Sequence, residues 1–151
     1  MVTTADGSAQ LGVAASLVRL SHVVQHVFAD VGRRHELTPQ QLHVLCMLLD
    51  GPVGMSELSR MMHLERSSMT GSVDRVVKRG LVSRMPDAND RRACVVTLSD
   101  EGRRLAVAAH DDVTARLEAL TADIDSEDRE RWPRVAERIL AAHDPAWVSR
   151  R

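Results

Sequence analysis

The stretch from Arg66 to Leu98 confines this chain to few folds. At about 100° per residue, Met69, Val73, Val76 and Val77 fall on one side of a helix running from Arg66 to Arg79. Gly80 follows, a residue suited to the left-handed conformation that stops a helix. Two β-prone runs come next, Leu81–Met85 and Ala93–Leu98, around the polar tip Pro86 to Arg92. They predict a hairpin with a long loop. Upstream, a short helix from about Met55 to Met62 turns Leu58, Met61 and Met62 inward, and His63-Leu64-Glu65 turns the chain. Two helices across a tight turn make a helix-turn-helix, and a hairpin directly behind the second makes a wing.

The flanks read as helices. Val13, Leu17, Leu20, Val24, Val27, Phe28 and Val31 recur at helical spacing, predicting one long helix from Leu11 to near Gly32. Thr38-Pro39-Gln40-Gln41 is a helix start: Thr38 caps, Pro39 fits the first position, and Gln41 completes a capping box. Leu42 to Leu49 is apolar almost all round and is expected to be buried on most sides, until Asp50-Gly51-Pro52 breaks it. Ser99 caps a helix to about Leu120, and a last helix spans about Ser126 to Ala142. Pro133 is expected to kink that helix or to mark its true first turn.

A net charge of −1 speaks by itself against a nucleic-acid partner. Its distribution speaks for one. Residues 66–92 hold seven basic residues and three acids, a local charge of +4 that leaves −5 for the rest of the chain. That is the pattern of one DNA-facing segment on an acidic body. The polar side of the 66–79 helix collects Ser67, Ser68, Gly71, Asp74, Arg75 and Lys78. Small hydroxyl side chains near its start let such a helix enter the major groove, its N-terminus attracts phosphate, and Arg75 can reach guanine O6 and N7. At the hairpin tip, Arg91 and Arg92 suit a minor groove. Asp90 is expected to hold the Arg92 guanidinium in a fixed pose through a charge-assisted pair. The predicted DNA-binding set is Arg66, Ser67, Ser68, Thr70, Gly71, Arg75, Lys78, Arg79, Arg84, Asp90, Arg91 and Arg92.

Other classes find little support. No apolar run approaches the roughly 18 residues of a membrane span. The segment Met1–Gly7 lacks a basic stretch followed by an apolar core, which predicts a cytoplasmic chain without a membrane partner. Cys46 and Cys94 stand without a CxxC or a disulfide framework and read as reduced thiols. His35-Glu36-Leu37-Thr38-Pro39 opens like a zinc-protease motif, but Pro39 stands where the second histidine belongs. With no GxSxG, P-loop or GxGxxG either, neither enzyme activity nor a cofactor is expected. His22 and His26, four apart on the first helix, could hold a metal, and no further ligand in the sequence completes that set.

Taken in order, five segments resemble the MarR family. They are Met55-Ser56-Glu57-Leu58-Ser59, Thr70 followed by Val73-Asp74-Arg75, Lys78 to Val82, the tip Asp87 to Arg92, and Val96-Thr97-Leu98-Ser99-Asp100-Glu101-Gly102. The resemblance runs from about Leu11 to about Ala142. It implies a mainly α fold, a winged helix-turn-helix lobe carried on a helical dimerisation region. It also implies a homodimer on a palindromic operator in duplex DNA, repression, and release by a small effector such as an aromatic acid or phenol. The expected layout is a flexible start over 1–9 and one domain over 10–145. Dimerisation helices fall at about 10–34 and 99–143. The DNA-binding lobe covers about 38–98, with the helix-turn-helix at about 55–79 and the wing at about 81–98. The family's wing carries Asp-x-Arg twice. Here the second copy is intact as Asp90-Arg91-Arg92, and the first reads Asp87-Ala88-Asn89. The effector pocket of similar proteins lies between the first helix, the second helix and the helix after the wing. His43 and Cys46 are therefore candidate lining residues and Arg19 a candidate polar contact. Two other readings fit the architecture: a metal-sensing repressor, and a winged-helix module that binds protein. Arginines on both the helix and the wing tip count against the latter.

Overall fold

The computed structural model describes residues 12–90 and 92–143. The predicted flexible start over 1–9, and residues 10, 11, 91, 144 and 145 of the predicted domain, lie outside the described residues. Six helices and three strands follow in the order α1 (Val13–Arg34), α2 (Pro39–Met47), β1 (Val53–Gly54), α3 (Met55–Met61), α4 (Arg66–Lys78), β2 (Val82–Pro86), β3 (Cys94–Leu98), α5 (Asp100–Leu120) and α6 (Ser126–His143). None of these helices is long and apolar enough to cross a membrane.

Local chemistry sets the helix boundaries. The capping box at α2 is complete: Thr38 Oγ1 accepts the Gln41 N–H at 3.1 Å, and Gln41 Oε1 accepts the Thr38 N–H at 2.9 Å. Helices α1, α3 and α4 end in one motif, a left-handed residue followed by a reach back to the last turn. At α4 that residue is Gly80, φ +71°, and the Leu81 N–H donates to the Val76 carbonyl at 3.0 Å. Glu36 (φ +55°) and His63 (φ +50°) do the same at α1 and α3. The matching bonds are Leu37 N–H to Gly32 at 2.8 Å and Leu64 N–H to Ser59 at 3.0 Å. The second of these makes the turn of the helix-turn-helix. A non-glycine residue held left-handed costs about 1 kcal/mol or more, so each elbow is fixed by its surroundings.

The sheet is antiparallel with strand order β1-β3-β2. The hairpin pairs Val82 with Leu98 through Pro86 with Cys94. Strand β1, absent from the sequence reading, adds Val53 and Gly54 opposite Val96 and Val95. The core joins α1 (Val31), α2 (Leu42, Leu45), α3 (Leu58), α4 (Met69, Val73, Val76), β3 (Val96) and α5 (Ala106, Ala109). Each fully buried Val, Leu or Met side chain there favours folding by about 1.5–3 kcal/mol. On α4 the buried set is Met69, Ser72, Val73 and Val76. Val77 was expected inside and is only half-buried, while Ser72 takes the inward place. Pro133 lies well inside α6, so it does not mark a first turn. Helix α6 buries no residue, and the first half of α1 leaves Val13, Leu17, Val18 and Leu20 exposed.

Candidate nucleic-acid interface

A groove of about 740 Å³ opens between the first turns of α3 and α4 and the wing. It is lined by Ser56 and Glu57 of α3, Arg66 and Thr70 of α4, and Arg84 and Arg92 of the hairpin. Three arginines thus converge on one concavity against one carboxylate. The predicted DNA-binding set leaves out Ser56 and Glu57. Their signal is a register opposite the buried Met55, Leu58 and Met61. Ser67 and Ser68 are exposed at the start of α4, and Lys78 is exposed in its last turn. No acidic residue occupies the first turn of α4, and its N-cap residue, Glu65, makes no side-chain capping bond, so the first N–H groups of the helix have no side-chain acceptor. Thr70 turns its hydroxyl back to the Arg66 carbonyl at 2.8 Å.

Arg75 is exposed and lies back along its own helix. Its Nη2 donates to Ser72 Oγ at 3.1 Å, and its Nη1 is 3.7 Å from where a Cβ on Gly71 would stand. The guanidinium thus lies beside the helix, and the Cβ of a larger residue at position 71 would only touch it. Arg84 reaches from β2 to α4, where Nη1 is 2.6 Å from Asp74 Oδ1. This half-exposed ion pair links the wing to the helix. Arg79 is placed differently, its Nη1 donating to the Glu36 main-chain carbonyl at 2.6 Å.

The wing tip corrects one expectation. Asp90 Oδ1 accepts the main-chain N–H of Arg92 at 2.9 Å instead of gripping its guanidinium. Asp87 Oδ1 likewise accepts the Asn89 N–H at 2.7 Å. A short carboxylate reaches the N–H two residues on with little entropy loss. An exposed ion pair would have to order a long arginine side chain for a small return. The two aspartates shape the loop, and the Arg92 side chain is left exposed. Arg91 lies outside the described residues.

A second groove, of about 680 Å³, lies between α1, the start of α2 and the α3–α4 turn. Phe28 and His43 stack in it almost parallel, ring centroids 3.9 Å apart and planes 14° off. His22, His26 and Met62 add to its lining. Of the three predicted pocket residues, only His43 is there. Arg19 is exposed elsewhere on α1, and Cys46 packs against the core, where burial pushes its thiol up to about 11. Cys46 is therefore a protonated packing residue at neutral pH. His26 Nε2 stands 3.9 Å from Asp30 Oδ2. Among the described residues no three His, Cys, Asp or Glu side chains are placed to share a metal ion.

Burial holds the His43 imidazole below the usual histidine range. The unfolded chain then takes up the proton first. Stability from neutral His43 is full above the ordinary value of about 6.5 and declines as pH falls below it. His43→Phe keeps the stack and removes the titration. Its melting temperature is expected to fall less than the wild type's between pH 7.5 and 5.5. Parallel pH dependences for the two proteins would clear His43 of this role.

Comparisons with known proteins agree with this geometry. The model of the MarR family matches residues 37–94, which hold α2, the helix-turn-helix and most of the hairpin. The homoprotocatechuate degradative operon repressor of Escherichia coli is 25% identical over 127 residues, which make up 83% of this chain and 86% of that repressor. A MarR-family transcriptional regulator from Rhodococcus sp. RHA1 shares the fold at a TM-score of 0.75 and 23% identity, over 88% of this chain and 93% of its own. NadR, solved in complex with 4-hydroxyphenylacetate, shares it at a TM-score of 0.73 and 22% identity, over 92% of this chain and 97% of its own. Together, a family model that matches residues 37–94 and a repressor aligned over most of both lengths support a MarR-family winged helix-turn-helix regulator.

Proposed function

We propose that the protein is a homodimeric repressor that grips a palindromic DNA operator and lets go when a small molecule binds. The observation that carries this reading is the groove joining α3, α4 and the wing, where Arg66, Arg84 and Arg92 converge beside the exposed Ser67, Ser68 and Arg75. Helix α4 reads bases in the major groove and the wing tip enters the adjacent minor groove. Two copies place their α4 helices about 34–36 Å apart, one turn of duplex. The groove holding Phe28 and His43 is the effector site. A planar, mostly apolar molecule suits its stacked rings, and the 4-hydroxyphenylacetate in NadR and the homoprotocatechuate named for the Escherichia coli repressor support an aromatic acid. Such a ligand acts only by favouring a spacing of the two lobes that no longer fits the operator.

Arg75 and Arg92 separate the two DNA contacts. On a duplex selected by the wild-type protein from a random library, Arg75→Ala is expected to cost about 1–3 kcal/mol and to relax base preference at one position per half-site. Arg92→Ala should weaken selected and scrambled duplexes by similar factors and lower the salt slope by about one unit per contact, hence about two per dimer. Titrations of both variants at several salt concentrations measure this. A wild-type protein that selects no sequence would overturn the reading.

A further inference from the structure

Arg79 sits in the basic segment by sequence, yet its guanidinium is spent on the frame of the molecule. Its Nη1 donates at 2.6 Å to the carbonyl of Glu36, which forms the elbow between α1 and α2. That elbow has little slack. Glu36 is left-handed at φ +55°, and the Leu37 N–H closes on the Gly32 carbonyl at 2.8 Å. A Cβ on Gly32 would meet the Leu37 carbonyl oxygen at 2.6 Å, closer than such atoms approach. The same elbow is anchored on its other side, where His35 Nε2 stands 2.7 Å from Asp112 Oδ2 of α5. One turn further along α5, Arg116 Nη1 reaches Asp30 Oδ2 of α1 at 3.4 Å. The elbow is thus held to α5 through His35, and the C-terminus of α4 is hitched to the elbow through Arg79.

We infer that Arg79 is a positioning residue that sets the tilt of the recognition helix α4 against the α1–α5 frame, and that it does not contact DNA phosphate. The hitch makes α4 follow a displacement of the α1–α2 elbow, whose two helices both line the Phe28–His43 groove. The inference rests on the DNA-binding reading above and assigns the link that reading lacks. A carbonyl acceptor on a constrained elbow gives a fixed bearing, because neither its backbone nor its neighbours can yield independently.

The test compares wild type, Arg79→Ala, Arg79→Lys and Asp112→Asn on the library-selected duplex and on a scrambled duplex of equal length, across a salt series. Thermal melts confirm that each variant is folded. Arg79→Ala is expected to lose about threefold to thirtyfold on the selected duplex while its affinity for the scrambled duplex and its salt slope stay put. Arg79→Lys, which can still donate to the Glu36 carbonyl, should recover part of the loss. Asp112→Asn should show the same selective loss without touching a basic residue. A phosphate contact behaves differently: both duplexes weaken together and the slope drops by about one unit per protomer. That outcome, or an Arg79→Ala protein indistinguishable from wild type, would overturn the inference while leaving the DNA-binding reading intact. A wild type that binds neither duplex would overturn both.

Discussion

Replacing Gly102 by alanine is expected to destabilise the protein by about 3 kcal/mol or more, although alanine is the better helix former. Gly102 lies in the first turn of α5 and is buried. Its N–H donates to Ser99 Oγ at 3.0 Å, and the Ser99 hydroxyl lies 2.7 Å from the Gly80 carbonyl and 3.1 Å from that of Leu81. The Ser99 N–H adds a bond to the Leu81 carbonyl at 3.0 Å. These contacts press the start of α5 onto the chain that leads from α4 into β2. A Cβ on Gly102 would stand 2.7 Å from the Leu81 carbonyl carbon and overlap its oxygen, and both are backbone atoms that cannot rotate away. Helix propensity favours alanine by at most about 1 kcal/mol, and overpacking against backbone outweighs that. Urea and thermal melts of Gly102→Ala measure the difference. The loss would be a large share of a typical total of about 5–15 kcal/mol. A variant as stable as wild type would mean that α5 stands off from Leu81.

The parts of this fold legible in the sequence are those set within a few residues. The capping box of Thr38 and Gln41 and the left-handed stop at Gly80 depend on side chains and backbone of one turn, and both are found as read. What escaped is set by distant partners. Strand β1 is two residues long and exists because β3 offers Val95 and Val96 forty residues on; no local pattern marks it. The inward face of α4 includes Ser72 because the helix rolls slightly from the apolar average, and a hydrogen bond with Arg75 makes a buried hydroxyl acceptable. Within the candidate site, the residue types were readable but their engagements were not. Seven basic residues in a short segment look alike on the page. Only the folded chain shows that Arg84 is paired with Asp74 and that Arg79 points away to Glu36. Asp90 was misread for a related reason. A carboxylate two residues before an arginine suggests a side-chain pair, while the nearer main-chain N–H wins.

The second large effect concerns assembly. Ile139→Asp is expected to leave a folded monomer at micromolar concentration and to lower affinity for the selected duplex by at least about 100-fold. Helix α6 buries no residue, yet Trp132 (52%), Val135 (45%), Ile139 (41%) and Leu140 (41%) are exposed along it. Leu120, Ile124 and, in the first half of α1, Leu17, Val18 and Leu20 are exposed as well. Isolated apolar side chains on a surface need no explanation, but a helix that exposes four of them and buries no residue does. A second copy of the chain covers it under the proposed function. A two-fold contact presents each substitution twice, so Ile139→Asp puts two unpaired carboxylates where apolar side chains would meet. Folding of each protomer should survive, because α6 contributes nothing to its buried core. Binding should not survive equally well. Linking two half-site contacts in one dimer multiplies affinity by about 10²–10⁴ over either alone, and that factor is lost on dissociation. Non-specific binding, which rests on each groove's own arginines, should fall far less. Light scattering, helicity by circular dichroism and duplex titrations read the three quantities separately. An Ile139→Asp protein that stays dimeric, with duplex affinity within about threefold of wild type, would move the dimer contact off α6.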